Sequence, residues 1–353
     1  MRVVEYGERV RGALLGGALG DALGWPVEFM RLEEIRARFG PAGLADLARA
    51  GRGGQVTDDT QMTLFTAEGL IRGRADGTQV PMAVHRAYQR WMLTQNHDLP
   101  QEVEPSPLSD GWLLRQPFLY AQRAPGNACM SGVAHHRTYR KPAPFGQDGP
   151  VNPGSKGCGT VMRSAPFGLA RLGVEWAFWL SAQCAQLTHG HPTGYLAAGA
   201  FSALVERLAA GVDLPQAVAE TIEQVAAYPS AEETVEALRR AVRIAAEGAP
   251  SAEAVERVGL GWIAEECLAI AVYCALAGRD AREALALSVN HSGDSDSTGA
   301  VCGNLVGARY GVSALPADWL ALVEGRQVVT QVADDLVAAF GGDAALLGDR
   351  YPA

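Results

Sequence analysis

The feature that most restricts the fold of this chain is a glycine-rich apolar stretch near its start. Residues 11–29 read RGALLGGALGDALGWPVEF, and glycines at positions 12, 16, 17, 20 and 24 would give a helix with a bare face. Glycine inside a helix costs about 0.5–1 kcal/mol relative to alanine, so this number of glycines requires a reason. We therefore expect another backbone, or a ligand, to lie directly against this face.

Two acidic residues accompany this stretch. Asp21 interrupts the apolar run, and Glu28 follows just past the helix, beside Trp25 and Pro26. A carboxylate enclosed by apolar residues needs hydrogen-bond partners, so Asp21, taken alone, is interpreted as a buried structural acid. Glu28, taken alone, is interpreted as a surface carboxylate, because acidic side chains are mostly exposed.

The rest of the sequence predicts an all-α fold, with residues 1–353 in a single compact domain. Apolar residues recur at three- and four-residue spacing in segments joined by short turns, and no strand-rich block appears. Only 7 % of the residues are aromatic, so we expect a core of Ala, Leu and Val, which suits closely packed helices. The helices predicted for the second half cover residues 176–187, 191–211, 214–226, 231–247, 262–277 and 279–289.

Charge and cysteine usage argue against several classes of protein. The formal net charge of −9 argues against nucleic acid as the main partner, although it leaves room for a small basic patch. The six cysteines form no C-x-x-C pair and have no histidine at zinc-like spacing, which predicts reduced core thiols. The sequence shows no run of 18 apolar residues and no signal-peptide pattern, so we expect a cytoplasmic protein.

A long irregular segment is expected between residues 96 and 157, which hold nine of the 19 prolines. Inside a compact domain such a segment either shapes a functional site or is an irregular connection without a role. Because it ends in NPGSKGCGTVMRSAP, we favour a loop that shapes a cleft.

Two acidic turns stand out from their apolar surroundings. One lies in QVTDDTQMTLFTAEGL, residues 55–70, and the other in VNHSGDSDSTGA, residues 289–300. Each precedes a helical pattern, so helix capping explains each of them, because Asp, Ser and Thr are preferred N-caps and a carboxylate there interacts favourably with the helix dipole. Capping needs only one acidic residue, however, and Asp294 and Asp296 stand one residue apart, as carboxylates do in loops that bind hard cations.

The two turns together strengthen the cation hypothesis. Four carboxylates brought close together would repel one another unless a cation lay between them. A ligand set made only of oxygen atoms favours Mg²⁺, Mn²⁺ or Ca²⁺ over zinc, and two such ions would neutralise four aspartates. The spacing in the sequence leaves open whether the two turns meet.

Five stretches in order resemble the ADP-ribosylglycohydrolase family, which includes the dinitrogenase-reductase-activating glycohydrolases and the ADP-ribosylarginine hydrolases. They are GALLGGALGDALGWPVEF, TDDTQMTL, GCGTVMRSAPFGL, LTHGHPTGY and GDSDSTGAVCGNLVGA, and they lie between residues 11 and 309. The resemblance implies the all-α fold of that family and a Mg²⁺-dependent hydrolase. Its reaction would cleave the C1″ N- or O-glycosidic bond between ADP-ribose and a protein side chain, with arginine favoured, or a related ADP-ribosyl conjugate.

The resemblance also implies the site residues. Two Mg²⁺ ions, with Mn²⁺ as the alternative, would be held by Thr57, Asp58, Asp59, Asp294, Asp296 and Ser297. Catalytic roles would fall to Glu28, Asp59 and Asp296. The ribose and diphosphate would lie against a glycine-rich loop through Gly154, Ser155, Gly157 and Gly159, with His189 beside the ribose. Lys156 and Cys158 depart from the pattern, because some members carry an aromatic residue and an asparagine at these positions.

Two other functions are weighed against this one. The first is a non-catalytic ADP-ribose-binding or crystallin-like structural module, which would not require the complete acidic set. The second is a Mg²⁺-dependent phosphoesterase, for which the sequence offers no Walker loop. We expect a monomer whose partner is an ADP-ribosylated protein or small ADP-ribosyl conjugate, with no membrane partner. Trp262 either lines the cleft or packs in the core.

Overall fold

The computed structural model of the chain describes residues 5–76, 79–100, 108, 110–341, 347–348 and 350–351. Within these ranges the chain forms sixteen α-helices and no β-strand, which confirms the predicted all-α fold. An isolated backbone bridge joins Gly157 to Ile263. No described helix is long and apolar enough to cross a lipid bilayer.

The helices follow one another with mostly short connections. In the first half they are α1 (Tyr6–Gly24), α2 (Leu32–Phe39), α3 (Asp58–Asp76), α4 (Val80–Asn96), α5 (Asn127–His135) and α6 (Ala165–Gly168). In the second half they are α7 (Val174–Ala185), α8 (Pro192–Ala209), α9 (Leu214–Ala226), α10 (Glu232–Ala245), α11 (Ala252–Val258), α12 (Ala264–Ala277), α13 (Ala281–Val289), α14 (Ser295–Tyr310), α15 (Ala317–Leu320) and α16 (Arg326–Gly341). The six helices predicted for this half correspond to α7–α10, α12 and α13, α14 is the helix expected after the second acidic turn, and α11, α15 and α16 are additional.

The bare face of α1 packs against α14 with almost no side chain between the two backbones. A methyl group added at Gly12, Gly16 or Gly20 would collide with the backbone of Gly307, Gly303 or Gly299, respectively. The pairing runs in opposite directions along the two helices, so the helices are antiparallel. The last turn of α1 therefore lies against Ser295, where α14 begins, and this places the residues after α1 beside the second acidic turn.

Replacing one of these glycines tests the close helix contact. Gly16→Ala should lower the free energy of unfolding by about 1–3 kcal/mol, because the new methyl group would overlap the Gly303 carbonyl group. Gly7→Ala in the same helix is the matched control, since nothing lies within 4 Å of the added atom. Urea unfolding followed by circular dichroism measures both variants. Equal losses of stability in the two would contradict the packing described here.

The same helix also fixes the first acidic turn, through Asp21. The Asp21 carboxylate is fully buried and accepts hydrogen bonds from the backbone N–H groups of Thr57 (3.0 Å) and Thr60 (3.1 Å). It also accepts hydrogen bonds from the hydroxyl groups of both threonines. The interpretation of Asp21 as a buried, hydrogen-bonded structural acid is confirmed. Helix α1 thus holds the starts of both α3 and α14.

The proline-rich segment 96–157 contains short elements rather than one continuous loop. Its described part includes α5 and the 3₁₀ turns Leu113–Arg115 and Pro117–Leu119. Residues 101–107 and 109 lie outside the described residues. Residues 124–129 and 152–155 of the segment line cavities that are described below.

Candidate active site

The structure brings the two acidic turns together in one cavity of about 470 Å³. The carboxylates that line it come from α3 and from the turn into α14, and Glu28 joins them from the segment after α1. The acidic residues in the lining are Glu28, Asp58, Asp59, Asp294 and Asp296. Turns that are far apart in the sequence therefore face one another across a single space.

Glu28 lies within this group and not at the surface. Only 6 % of Glu28 is exposed, and one carboxylate oxygen from each of Glu28, Asp294 and Asp296 lies within 4.8 Å of the others. The interpretation of Glu28 as a surface carboxylate is therefore wrong. The sequence taken locally could not show this, because the burial of Glu28 follows from the antiparallel contact between α1 and α14.

The environment of the carboxylates favours protonation. Burial raises the pKa of Asp59 and of Asp296 well above the ordinary value, and the neighbouring carboxylates raise it further. Burial, followed by the charges of Asp294 and Asp58, raises the pKa of Glu28 to about 9. The cost of ionising such a group falls sharply when a cation lies among the carboxylates.

The unpaired atoms of the site also fit cations. Among the carboxylate oxygens of the cavity, Asp59 Oδ1 and Glu28 Oε2 are buried and have no hydrogen-bond partner within the described part of the chain. Buried carboxylate oxygens are otherwise paired or ligate metal ions. The set consists of oxygen donors, which Mg²⁺ and Mn²⁺ prefer. The residues present thus fit hard divalent cations.

Helix capping and the acidic cluster coexist at both turns. Asp294 is the N-cap of α14, where its Oδ1 accepts the N–H of Ser297 at 3.3 Å. At the first turn, the hydroxyl group of Thr57, just before α3, accepts the N–H of Asp59 at 3.4 Å, and Asp58 and Asp59 lie in the first turn of α3. The capping interpretation therefore holds at both turns, and Asp21 of α1 adds a further acceptor at the first.

The two hydroxyl residues predicted as metal ligands have different surroundings. The Thr57 hydroxyl donates to Asp21 at 2.9 Å and lies 3.3 Å from Asp59 Oδ2, and Thr57 is not among the described residues that line the cavity. Ser297 does line the cavity. Its hydroxyl group lies 3.6 Å from Cys158 Sγ and 3.8 Å from Met162 Sδ. Burial raises the pKa of Asp294, and a hydrogen bond from the Ser297 side chain opposes that rise.

The glycine-rich loop forms one wall of the cavity. Ser155, Gly157 and Gly159 line it, whereas Gly154 lines a larger neighbouring cavity of about 1090 Å³. The two cavities share Asn127, Ala128 and Ser155. The loop runs into a single 3₁₀ turn, Cys158–Thr160, so a helix dipole adds little to anion binding at this loop.

Lys156 and Cys158, the two residues that depart from the family pattern, have different surroundings. The Lys156 ammonium group pairs with Glu233 at 2.7 Å and Glu265 at 2.6 Å, which ties the loop to α10 and α12, and Lys156 does not line the cavity among the described residues. Cys158 lines the cavity, and its thiol donates to Asp294 Oδ2 at 2.7 Å. All six cysteines are free thiols, as predicted, and Cys158 faces the site rather than the core.

His189 lines the cavity with a neutral ring. Burial lowers the pKa of His189 to about 3, and its Nδ1 lies 2.7 Å from the Thr188 hydroxyl. Arg163 donates to that same hydroxyl group at 2.7 Å, so it supports His189 through Thr188. A neutral imidazole can exchange hydrogen bonds with a sugar hydroxyl.

The sequence left two aromatic residues of the site unassigned. Trp262, for which cleft and core were equally expected, lines the cavity. Phe29 lines it as well, and its position directly after Glu28 was the only signal that the sequence offered.

Comparison with known proteins identifies relatives along almost the full length. A family model described as ADP-ribosylglycohydrolase matches residues 3–345. The chain is 28 % identical to the ADP-ribosyl-[dinitrogen reductase] glycohydrolase of Rhodospirillum rubrum, over 95 % of this chain and 98 % of that protein. It is 24 % identical to an ADP-ribosylarginine hydrolase of Pseudomonas putida, over 93 % of this chain and 78 % of that protein. A solved structure titled ADP-ribosylglycohydrolase-related protein complex is similar with a TM-score of 0.65 and 25 % identity, and covers 95 % of this chain and 99 % of that one.

Proposed function

This chain belongs to the ADP-ribosylglycohydrolase family and is a hydrolase of ADP-ribose glycosidic bonds, and we propose that it uses divalent cations to release ADP-ribose from protein side chains, arginine foremost. The observation that supports the proposal is the convergence of five buried carboxylates in one cavity, with unpaired oxygen atoms on Asp59 and Glu28. The relatives' names supply the acceptor class: one acts on dinitrogen reductase and another on ADP-ribosylarginine.

We assign cation binding to the two acidic turns. Two Mg²⁺ or Mn²⁺ ions would be held by Asp58, Asp59, Asp294 and Asp296, with the hydroxyl groups of Thr57 and Ser297. When bound, the cations would polarise oxygen atoms around the ribose and neutralise the four aspartates. Asp59 and Asp296 would in addition orient the reacting groups, since both line the cavity beside Glu28.

We assign proton transfer to Glu28. A glycosidic bond breaks through an oxocarbenium-like state, and a carboxyl group that gives the leaving atom a proton lowers the barrier. Glu28 Oε2 is buried and has no partner among the described residues, so it can carry that proton without breaking an existing hydrogen bond. A positioned acid of this kind contributes about 10²–10⁴-fold to the rate.

The ADP portion of the substrate would extend from the acidic cavity into the larger one. The ribose would lie against Gly157, Gly159 and His189, and the diphosphate would pass Ser155. The larger cavity, of about 1090 Å³, has apolar side chains such as Met92 and Met130 in its lining. The adenine ring would pack against these side chains. Gly154 would contact the diphosphate from this side.

Metal removal tests the proposal on defined substrates. Peptides ADP-ribosylated on arginine or on serine are incubated with the protein in Mg²⁺ and in excess EDTA, and released ADP-ribose is quantified. We expect turnover in Mg²⁺, a loss of about 100-fold in EDTA and recovery when Mg²⁺ is restored. Turnover that is insensitive to chelation would refute the role of the cations. Failure to release ADP-ribose from any conjugate would refute the function.

A further inference from the structure

Phe29 and Trp262 form an aromatic pair that borders the acidic cavity. Their ring centroids lie 5.7 Å apart, with 22° between the ring planes. Both residues line the cavity, yet 70 % of Phe29 and 42 % of Trp262 are exposed. Two adjacent large apolar side chains left in water at a cleft are characteristic of a binding surface, because a folding core would bury them.

The backbone beneath the indole ring is fixed to the site. The Trp262 carbonyl group accepts the N–H of Cys158 at 3.2 Å, and the Leu260 carbonyl group accepts the N–H of Asp294 at 2.9 Å. Gly261 has a φ of +85°, and a side chain there would collide with Thr298. The indole is thus held at a set place relative to the acidic turn, although the ring itself is not enclosed.

The lining of the cavity offers no basic side chain for an anionic acceptor. Its lining contains five carboxylates and, among the described residues, no lysine or arginine. Two divalent cations would balance the four aspartates and leave Glu28, which directly precedes Phe29, as the remaining acid. An acceptor that bears phosphates or carboxylates would find no positive side chain here.

The position of the pair separates it from the ADP portion of the substrate. Neither Phe29 nor Trp262 lines the larger cavity, which joins the acidic one at Asn127, Ala128 and Ser155. An adenosine diphosphate placed in the larger cavity therefore leaves the aromatic pair uncovered. The group that remains to be placed there is the acceptor on the other side of the C1″ bond.

We infer that Phe29 and Trp262 form the acceptor-binding surface and receive the planar guanidinium group of an ADP-ribosylated arginine. Guanidinium groups stack on aromatic faces and are attracted by their negative charge density. Glu28 lines the cavity beside the pair, and its protonated carboxyl group keeps an oxygen atom that can accept a guanidinium N–H. The inference rests on the proposed function and adds to it the residues that select the acceptor.

The test compares two acceptors on otherwise identical peptides, one ADP-ribosylated on arginine and one on serine. Phe29→Ala and Trp262→Ala should each lower kcat/KM for the arginine conjugate about tenfold, mainly through KM, and change it less than about twofold for the serine conjugate. Phe29→Tyr and Trp262→Phe keep an aromatic face and should restore the value to within about twofold of the wild type. The Kd of free ADP-ribose, which lacks an acceptor, should stay unchanged in all four variants.

The outcomes separate this inference from the proposed function. Equal losses on both conjugates, or weaker binding of free ADP-ribose, would overturn the inference, because the pair would then position ADP-ribose itself. Unchanged kinetics in both alanine variants would also overturn it. If the wild-type protein hydrolyses the serine conjugate alone, the arginine acceptor is wrong while the hydrolase function stands. If it hydrolyses neither conjugate, the proposed function fails first.

Discussion

Asp294→Asn is expected to lower turnover of ADP-ribosyl conjugates by about 1000-fold or more. The substitution removes one negative charge from the cluster that would hold the cations, and metal-assisted charge stabilisation contributes several kcal/mol to such reactions. Each factor of ten corresponds to about 1.4 kcal/mol. Asparagine retains a side-chain oxygen that accepts the N–H of Ser297, and it is as good an N-cap as aspartate, so α14 should still begin at Ser295.

Two measurements keep this result from being explained by misfolding. In EDTA, the melting temperature of Asp294→Asn should equal or exceed that of the wild type, because the variant has one crowded carboxylate fewer. Adding Mg²⁺ should raise the melting temperature of the wild type and not that of the variant, since ligands stabilise the state that binds them. Asp280→Asn is the matched control: Asp280 is an exposed N-cap that accepts the N–H of Glu283 at 2.9 Å. Full turnover by Asp294→Asn would remove Asp294 from the site.

Asp21→Ala is expected to lower the free energy of unfolding by about 3–5 kcal/mol and to abolish turnover as well. The substitution deprives two buried backbone N–H groups and the Thr60 hydroxyl group of their acceptor, whereas the Thr57 hydroxyl group can still donate to Asp59 Oδ2 at 3.3 Å. Each buried donor that stays unpaired costs about 1–3 kcal/mol. The start of α3 would lose its anchor on α1, so Asp58 and Asp59 would no longer face Asp294. The effect arises without any contact between Asp21 and substrate.

Chemical denaturation in EDTA measures this loss without a contribution from bound cations. Asp280→Ala serves as the comparison, because removing an exposed N-cap typically costs about 1 kcal/mol. A loss for Asp21→Ala no larger than that for Asp280→Ala would show that Asp21 does not organise the first acidic turn. Normal turnover in a destabilised Asp21→Ala protein would separate the fold from the site and contradict the account of α1.

The sequence predicted the helical fold because its signals are local and repeated. Apolar spacing and short turns identified six helices of the second half, and the structure agrees with each of them to within a few residues at either end. The bare face of α1 was also predictable, since the glycines themselves indicate a close contact. Its partner was not predictable, because nothing in the pattern at positions 12, 16 and 20 specifies positions 307, 303 and 299.

The site, like the fold, has features that the sequence predicts and features that depend on long-range contacts. The acidic turns were visible in the sequence, whereas their convergence depends on Asp21 and on the contact between α1 and α14, which are long-range. Glu28 was misjudged locally for this reason, and no local pattern showed that Asp21 of α1 adds a hydrogen-bond acceptor at the start of α3. The thiol of Cys158 beside Asp294 and the ring of Phe29 beside Trp262 carry no local signal. Contacts between side chains that are distant in the sequence can be identified only from the structure.

The central claim is that both acidic turns bind the same divalent cations, and anomalous scattering from crystals grown with Mn²⁺ tests it most directly. We predict two peaks in the cavity, about 4 Å apart, with ligands to the ions drawn from Asp58 or Asp59 on one side and from Asp294 or Asp296 on the other. Peaks that each contact a single turn, or no peak at all in this cavity at saturating Mn²⁺, would contradict the account.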